Sequence, residues 1–173
     1  MGGRSSRMGR DKALLPYRGG SLAGAVARAV ECAAGRVTLV GNPGIGGIAD
    51  LYPGEGPLGG ILTALHHTTA EWNLVVACDM PGISSELLGR LLEAAEESGA
   101  DALLPSGPSG KVEPLCAVYR RQSLEQMEAN FARGIRKVTA ALEGLATVRL
   151  AVPELAPFQN VNTPEDWEPY AAE

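Results

Sequence analysis

The chain contains few of the cysteines and histidines that disulfide-bonded and metal-binding proteins use, and few aromatic residues. Its 173 residues include only two histidines and three cysteines, and aromatic side chains make up 5%. Cys32, Cys78 and Cys116 are far apart and form no C-x-x-C pair, so neither a zinc site nor a disulfide framework is expected. We expect three small apolar side chains in a reducing cytoplasm.

The sequence contains neither the apolar run of a signal peptide nor the roughly 20 consecutive apolar residues of a membrane span. The net charge of −5 argues against a general nucleic-acid binder. Positive charge is nevertheless concentrated near the amino terminus, where Asp11 alone opposes it. A small basic site on an acidic body suits a compact polyphosphate better than a long polymer. The basic side chains there are Arg4, Arg7, Arg10, Lys12 and Arg18.

Apolar periodicity predicts alternating helices and strands in one globular domain, residues 1–173. The continuous run 72–78 predicts a strand buried on both faces. Ser123 has capping-box spacing to Gln126, and Thr163 followed by proline starts a last helix. The pattern indicates a three-layer α/β fold with a mostly parallel sheet. Further helices are expected at 21–34, 59–69, 84–98, 123–133 and 135–142, and further strands at 36–40, 101–105, 114–119 and 147–152.

A glycine-rich basic segment, M-G-G-R-S-S-R-M-G-R-D-K, opens the chain. Gly2 and Gly3 allow backbone N–H groups to line a concavity for phosphate oxygens. Arg7 offers a planar fork for phosphate and Lys12 a point charge. It is not a Walker A loop, because alanine follows the lysine. Composition alone equally allows a solvated basic tail.

Several polar residues follow apolar strands, at the sheet edge where ligands of α/β proteins collect. Asp79 comes directly after the apolar run and suits Mg²⁺, which takes few carboxylates together with phosphate oxygens; capping of the next turn is the alternative. Asp50, in a Gly/Pro loop, is equally consistent with turn chemistry. Asn160 and Asn162 would face the same side if the segment is extended. Their amides could contact a phosphate, or they could stabilise the turn before the next helix.

The histidines offer no general base. His66 and His67 are adjacent within a helix, lack a partner at ligand spacing, and are expected at the surface or in helix packing. A catalytic site without histidine fits a reaction in which the nucleophile is a phosphate, because a phosphate is already ionised near neutral pH. Catalysis then depends on positioning and on neutralising charge.

The run G-G-R-S-S-R-M-G-R-D-K-A-L-L resembles the L-A-G-G-x-S-x-R-M-G-x-D-K signature of the molybdenum cofactor guanylyltransferases, which are Rossmann-like nucleotidyltransferases. The likeness continues through Asp50, G-E-G-P-L-G-G at 54–60, C-D-M-P at 78–81 and N-V-N-T-P-E at 160–165. These motifs span nearly the whole chain in the family's order. Family members place an apolar first strand before the glycine pair, so a sheet without its first strand is expected for these residues.

The resemblance implies transfer of GMP from GTP to molybdenum-molybdopterin, with release of pyrophosphate. It assigns Mg²⁺ to Asp79 as the metal ligand. The substrates are small molecules, with no role for nucleic acid or a membrane, and protein partners of cofactor biosynthesis are compatible with it. The nucleotide-binding residues would be Gly2, Gly3, Lys12, Asp50 and Asp79, and the catalytic ones Arg7, Lys12 and Asp79.

On the pterin side, the resemblance points to Asn160 and Asn162. Arg133, Arg136 and Lys137 would steer the pterin phosphate or form a solvated basic helix face. A cytidylyltransferase for the same cofactor and a sugar-phosphate nucleotidyltransferase remain alternatives, although Gly-Gly and Asp-Lys in the first motif favour the guanylyl branch. A non-catalytic paralogue that binds the pterin cofactor is an alternative of another class.

Overall fold

The computed structural model describes residues 12–41, 46–154 and 156–170. A 3-10 turn, Lys12–Leu14, leads into a hairpin of two short strands. No helix in these ranges is long and apolar enough to cross a membrane. The strands are β1 (Pro16–Tyr17), β2 (Gly20–Ser21), β3 (Trp72–Val76), β4 (Ala102–Ser106), β5 (Cys116–Arg120) and β6 (Thr147–Ala151), and the helices are α1 (Leu22–Ala34), α2 (Gly56–His67), α3 (Ser85–Ser98), α4 (Ser123–Ala132), α5 (Val138–Ala141) and α6 (Pro164–Trp167).

Helix ends follow local chemistry in most places. Ser21 caps α1 and Gly35, at φ 71°, ends it in the left-handed conformation. Thr163 and Asp166 form a reciprocal capping box at α6, which confirms the predicted start of that helix. The start at Thr163 was readable in the sequence because a cap needs only neighbouring residues.

The capping box predicted at Ser123 is wrong. Ser123 is the first residue of α4, not its cap, and its hydroxyl is buried and donates to the Arg120 carbonyl at 2.7 Å. The hydroxyl therefore closes the turn between β5 and α4 in place of capping the helix.

The main sheet has the strand order β3-β5-β4-β6. β4 and β6 are parallel, whereas β5 is antiparallel to both of its neighbours, β3 and β4. Three of the four strands therefore run in one direction, as a mostly parallel sheet requires. The single reversed strand makes the sheet mixed.

Apolar side chains project from both faces of this sheet into two cores, which confirms the three-layer α/β architecture. Leu103 and Val118 share one core with residues of α1 and α3. Ala102 and Tyr119, their neighbours along the strands, share the other core with residues of α2, α4 and α5. The period of two along a strand sends successive side chains to opposite layers.

Two strand predictions need correction at one edge of the sheet. Residues 36–40 form no strand among the described residues; Val40 makes an isolated parallel bridge with Ile48, and Val37 packs against the core. β3 is not buried on both faces, since all five of its residues are half-buried. β3 lies at the edge of the sheet and borders a groove, which accounts for its exposure.

The segment before α6 is held against the turn that follows β3. The Val161 amide donates to the Asp79 carbonyl at 2.9 Å, and Val161 is buried. Gly82 packs directly on the backbone at Ala156, where a Cβ would lie 2.6 Å from the carbonyl oxygen. These contacts set the position of residues 156–162 relative to the carboxyl end of β3.

We expect Gly82→Ala to lower the free energy of unfolding by about 1–3 kcal/mol, because the added methyl group clashes with the Ala156 backbone. Gly89→Ala, in α3 with no atom near the added Cβ, should raise stability by about 0.5–1 kcal/mol. Urea denaturation of both variants measures the difference. Equal effects of the two substitutions would contradict the close approach at Gly82.

Candidate active site

The carboxyl ends of β3, β4 and β6 meet at one edge of the sheet. Val76 ends β3 opposite Cys116, and Ser106 ends β4 opposite Ala151. Asp79 lies in the turn that follows β3 and is half-buried. This turn thus has the position at which ligands of open α/β sheets bind.

The structure brings the asparagine motif to the same place. Because Val161 donates to the Asp79 carbonyl, Asn160 and Asn162 flank the residue that contacts the Asp79 turn. The Asn160 side-chain oxygen is buried and accepts no hydrogen bond within the described part of the chain. A buried oxygen of this kind needs a donor or a cation from a bound molecule or water.

Asn162 differs from Asn160 in its surroundings. It is exposed, and its backbone amide donates to the Asp166 carboxylate at 2.8 Å as part of the α6 cap. The alternative of turn stabilisation therefore applies to the Asn162 backbone. The two asparagines are close in sequence but are held by different interactions.

The amino-terminal part of the predicted site is described only from Lys12 onward. Gly2, Gly3 and Arg7 lie outside the described residues, and for Lys12 the structure describes the backbone. Their expected contacts with a triphosphate remain predictions.

The residues that follow Lys12 lie near the Asp79 turn. The Tyr17 hydroxyl donates to the Pro81 carbonyl at 3.3 Å. Ala13 and Cys78, the neighbours of Lys12 and Asp79 in sequence, line the same groove. Residues 13–17, which follow the glycine motif, therefore approach the C-D-M-P turn at 78–81.

Asp50 has a clear structural role. Its Oδ1 accepts hydrogen bonds from the Tyr52 amide and from the Thr63 hydroxyl, both at 2.9 Å. The fully buried Thr63 hydroxyl in turn accepts from the Leu51 amide at 3.0 Å. These bonds connect the Asp50 loop to α2 and do not lead to the Asp79 turn.

Glycines of the G-P-L-G-G motif are required by this loop. Gly56 begins α2 with φ at +76°, a conformation that other residues rarely adopt. A Cβ on Gly59 would lie 2.9 Å from the Tyr52 Cβ and 3.0 Å from its carbonyl oxygen. The motif therefore lets the loop pack closely on the first turns of α2.

A polar cluster that sequence reasoning missed ties this loop to α4. The Tyr52 hydroxyl donates to Glu128 at 2.8 Å, and His66 lies 2.6 Å from the same carboxylate oxygen. Burial acts to raise the pKa of Glu128, but the hydrogen bonds from His66 and Tyr52 outweigh it and the pKa lies below its ordinary value. Burial and the Glu128 carboxylate raise the pKa of Tyr52. No local pattern signals this cluster, because its members come from three segments.

Arg136 has a structural partner of its own. Its guanidinium forms an ion pair with Glu55 and lies 3.9 Å from the centre of the Phe131 ring. Arg133 makes a long contact of 3.4 Å to the Asn130 side chain. For Arg136, these contacts favour a role in holding the loop before α2 over steering a substrate.

Lys111 is a basic residue that the sequence analysis did not select. It lies in the loop between β4 and β5, at the edge where β4 ends. Its ammonium group is 3.1 Å from Glu113, and its side chain is 76% exposed. A Gly-Lys pair in the loop between two predicted strands was the signal that could have identified it.

The described residues contain no cluster of three or more His, Cys, Asp or Glu side chains that could hold a metal ion. Zinc-type sites need such clusters, whereas Mg²⁺ takes oxygen ligands and few carboxylates. The Asp79 carboxylate and the buried Asn160 oxygen are donors of the kind Mg²⁺ prefers. The side chains at this edge therefore fit Mg²⁺ better than a soft transition metal.

Comparison with solved structures defines the class. The structure of 2-C-methyl-D-erythritol 4-phosphate cytidylyltransferase from Thermus thermophilus superposes with a TM-score of 0.72 at 20% identity, over 93% of this chain and 92% of that one. Molybdopterin-guanine dinucleotide biosynthesis protein A from Archaeoglobus fulgidus gives a TM-score of 0.81 at 30% identity, over 99% and 94% of the two chains. The fold is thus that of the Rossmann-like nucleotidyltransferases.

Sequence comparison identifies the family within this class. Residues 1–147 match the MobA-like NTP transferase domain. The molybdenum cofactor guanylyltransferase of Xanthomonas euvesicatoria is 36% identical over 96% of this chain and 88% of its own length. The chain belongs to the MobA-like family, among the molybdenum cofactor guanylyltransferases.

The Glu128 cluster predicts a pH-dependent contribution to stability. A carboxyl whose pKa is lowered in the folded state stabilises the fold above its unfolded pKa of about 4.3, and the contribution is lost as pH falls through the folded pKa. We expect the free energy of unfolding of Glu128→Gln to decrease less than that of the unsubstituted protein between about pH 5 and pH 3.

Denaturant unfolding at several pH values measures this effect. Glu125→Gln, an exposed position on the same helix, is the matched control for removal of one carboxylate. The contribution of Glu128 is the difference between the two profiles. Identical profiles for the two variants would show that the Tyr52 and His66 contacts do not stabilise the fold.

Proposed function

We propose that this chain transfers GMP from GTP to molybdenum-molybdopterin and releases pyrophosphate. The observation that carries the proposal is the hydrogen bond from the Val161 amide to the Asp79 carbonyl. It supports the proposal because it holds the turn of the half-buried Asp79 against the segment that carries Asn160, whose buried oxygen has no partner among the described residues. The names of the relatives, molybdenum cofactor guanylyltransferase, support this acceptor and this nucleotide.

The reaction needs no protein base. An oxygen of the terminal phosphate of the pterin cofactor forms a bond to the α-phosphorus of GTP, and the bond from that phosphorus to the bridging oxygen of the β-phosphate breaks. Pyrophosphate leaves with the electron pair of the broken bond. The attacking phosphate is already ionised near neutral pH, so catalysis rests on alignment and on stabilisation of charge.

Asp79 would hold Mg²⁺, which supplies positive charge to the phosphates of GTP when bound. The Asn160 oxygen would orient a water on the metal or a donor of the substrate. Both groups lie on segments that are fixed to each other through Val161 and Gly82, so their relative position is set before substrate binds.

The triphosphate would be held by Gly2, Gly3, Arg7 and Lys12. The Tyr17 to Pro81 hydrogen bond supports this assignment, because it brings the chain just after Lys12 to the Asp79 turn. These residues would bind the leaving pyrophosphate as charge develops on it.

Asp50 would contribute to the nucleoside site through the loop it organises, since one carboxylate oxygen is used by Tyr52 and Thr63. Asn162 would face the pterin side from the exposed end of its segment. Lys111, at the same sheet edge, is a further cation for the pterin phosphate.

We also propose that residues 1–173 act as one domain in the cytoplasm on small-molecule substrates, with protein partners in cofactor biosynthesis. Among the described residues, Cys32 and Cys116 are free thiols, and Cys32 is exposed. Free thiols are typical of a reducing compartment.

Pyrophosphate release tests the proposal directly. With GTP, molybdenum-molybdopterin and Mg²⁺, we expect activity, and Asp79→Asn should lower kcat by about 100-fold or more because charge on the phosphates is no longer neutralised. Glu86→Gln, an exposed residue in the first turn of α3, is the control and should keep activity.

Two alternatives give different results in the same experiment. A faster reaction or a larger Mg²⁺-dependent thermal shift with CTP would show a cytidylyltransferase. Tight binding of molybdenum-molybdopterin with no pyrophosphate release from either nucleotide would show a non-catalytic pterin-binding protein. Full activity of Asp79→Asn would remove Asp79 from the proposed metal site.

A further inference from the structure

The loop that precedes α2 carries Asp50 at its base and is held to the rest of the protein at few points. Among residues 51–57, Tyr52 is the one residue that is not exposed. Its ring packs edge-on against Phe131 of α4, with 4.9 Å between the ring centres. The position of the loop therefore depends on the contacts of Tyr52.

Glu128 of α4 is the acceptor for the Tyr52 hydroxyl. The hydroxyl donates to Oε1 of Glu128 at 2.8 Å, and His66 of α2 lies 2.6 Å from the same oxygen. Glu128 is a carboxylate at neutral pH. A hydrogen bond to a charged acceptor is roughly twice as strong as one between neutral groups. One carboxylate of α4 therefore holds both the loop and α2.

The second link between this loop and the region of α4 is more exposed. Glu55 forms an ion pair with Arg136, and the two side chains are 43% and 42% exposed. An ion pair between exposed side chains contributes little to stability. It adds to the bond between Tyr52 and Glu128 but does not replace it.

Tyr52 acts directly on Asp50 through its backbone. The Tyr52 amide and the Thr63 hydroxyl both donate to Oδ1 of Asp50, each at 2.9 Å. Within the described part of the chain, Oδ2 of Asp50 accepts no hydrogen bond. One carboxylate oxygen is thus fixed by the protein, and the other can accept from a nucleoside N–H or hydroxyl group. A displacement of Tyr52 would move this second oxygen.

We propose that Glu128 is a positioning residue for the nucleoside of GTP, acting through Tyr52 on Asp50. This role rests on the proposed function, because it takes Asp50 to belong to the nucleoside site. With the loop held by Glu128, Asp50 is in place before GTP arrives, so less ordering opposes binding. Without that bond, only a fraction of the molecules has the loop in place, and the apparent affinity falls by that fraction.

The proposal predicts a loss of affinity that is selective for the nucleoside. Residues 2–12 and Asp79 are the proposed contacts of the triphosphate and its metal ion, and the bonds of Asp50 do not lead to the Asp79 turn. Inorganic tripolyphosphate has the three phosphates of GTP and no nucleoside. Its affinity should therefore not depend on Glu128, whereas the affinity for GTP should.

Calorimetric titration with GTP and with tripolyphosphate, each with Mg²⁺, tests this difference. Tyr52→Phe and Glu128→Ala should each raise the Kd of GTP about tenfold and leave that of tripolyphosphate within about twofold. In the double variant, Tyr52→Phe should add nothing to Glu128→Ala, because both substitutions remove the same bond.

A conservative variant and a control separate positioning from general damage. Glu128→Gln keeps a side-chain oxygen that can accept from the Tyr52 hydroxyl, and should recover most of the GTP affinity that Glu128→Ala loses. Glu125→Ala, exposed on the same helix, should bind both ligands as the unsubstituted protein does. Circular dichroism confirms that each variant is folded.

The outcomes distinguish this inference from the proposed function. Unchanged GTP affinity in both single variants, equal weakening of GTP and tripolyphosphate, or additive losses in the double variant would overturn the role of Glu128 and leave the proposed function intact. Failure of the unsubstituted protein to bind GTP would overturn the proposed function, and the role of Glu128 with it.

Discussion

The hydrogen bond between the Val161 amide and the Asp79 carbonyl joins two segments that are distant in sequence, and the close approach of Gly82 to Ala156 holds them together over several residues. Neither contact involves the side chains proposed to act on substrate. This separation of roles is useful for catalysis by positioning, since the carboxylate of Asp79 and the buried oxygen of Asn160 remain at the sheet edge with their backbones fixed.

The Asp50 loop depends on a second, independent set of contacts. Thr63 and Tyr52 engage Asp50 itself, while Glu128 and Arg136 tie the loop to α4 and to the turn that follows it. Arg136, one of the basic residues considered for the pterin phosphate, therefore serves to place a loop. A charged residue near a proposed site is not automatically a ligand, and its existing partners decide which role it has.

The edge position of β3 among the described strands explains why sequence patterning was wrong at one edge of the sheet. A continuous apolar run predicts burial on both faces, and β3 has such a run, yet all its residues are half-buried, since among the described strands β3 pairs with β5 alone. Residues 36–40 have strand-like composition, but within the described ranges they pair with no strand and Val40 alone forms a bridge. Strand formation depends on a partner, which propensity along one segment does not describe.

The sequence by itself determined the alternation of helices and strands, the cap at Thr163, and the motif order that places the chain among nucleotidyltransferases. Each of these depends on residues close together in the chain, or on motifs read one at a time. Only the tertiary structure decided that β5 runs against its neighbours, that Ser123 closes a turn, and that Asn160 lies beside Asp79. Those features arise from contacts between distant segments, for which local periodicity and spacing carry no information.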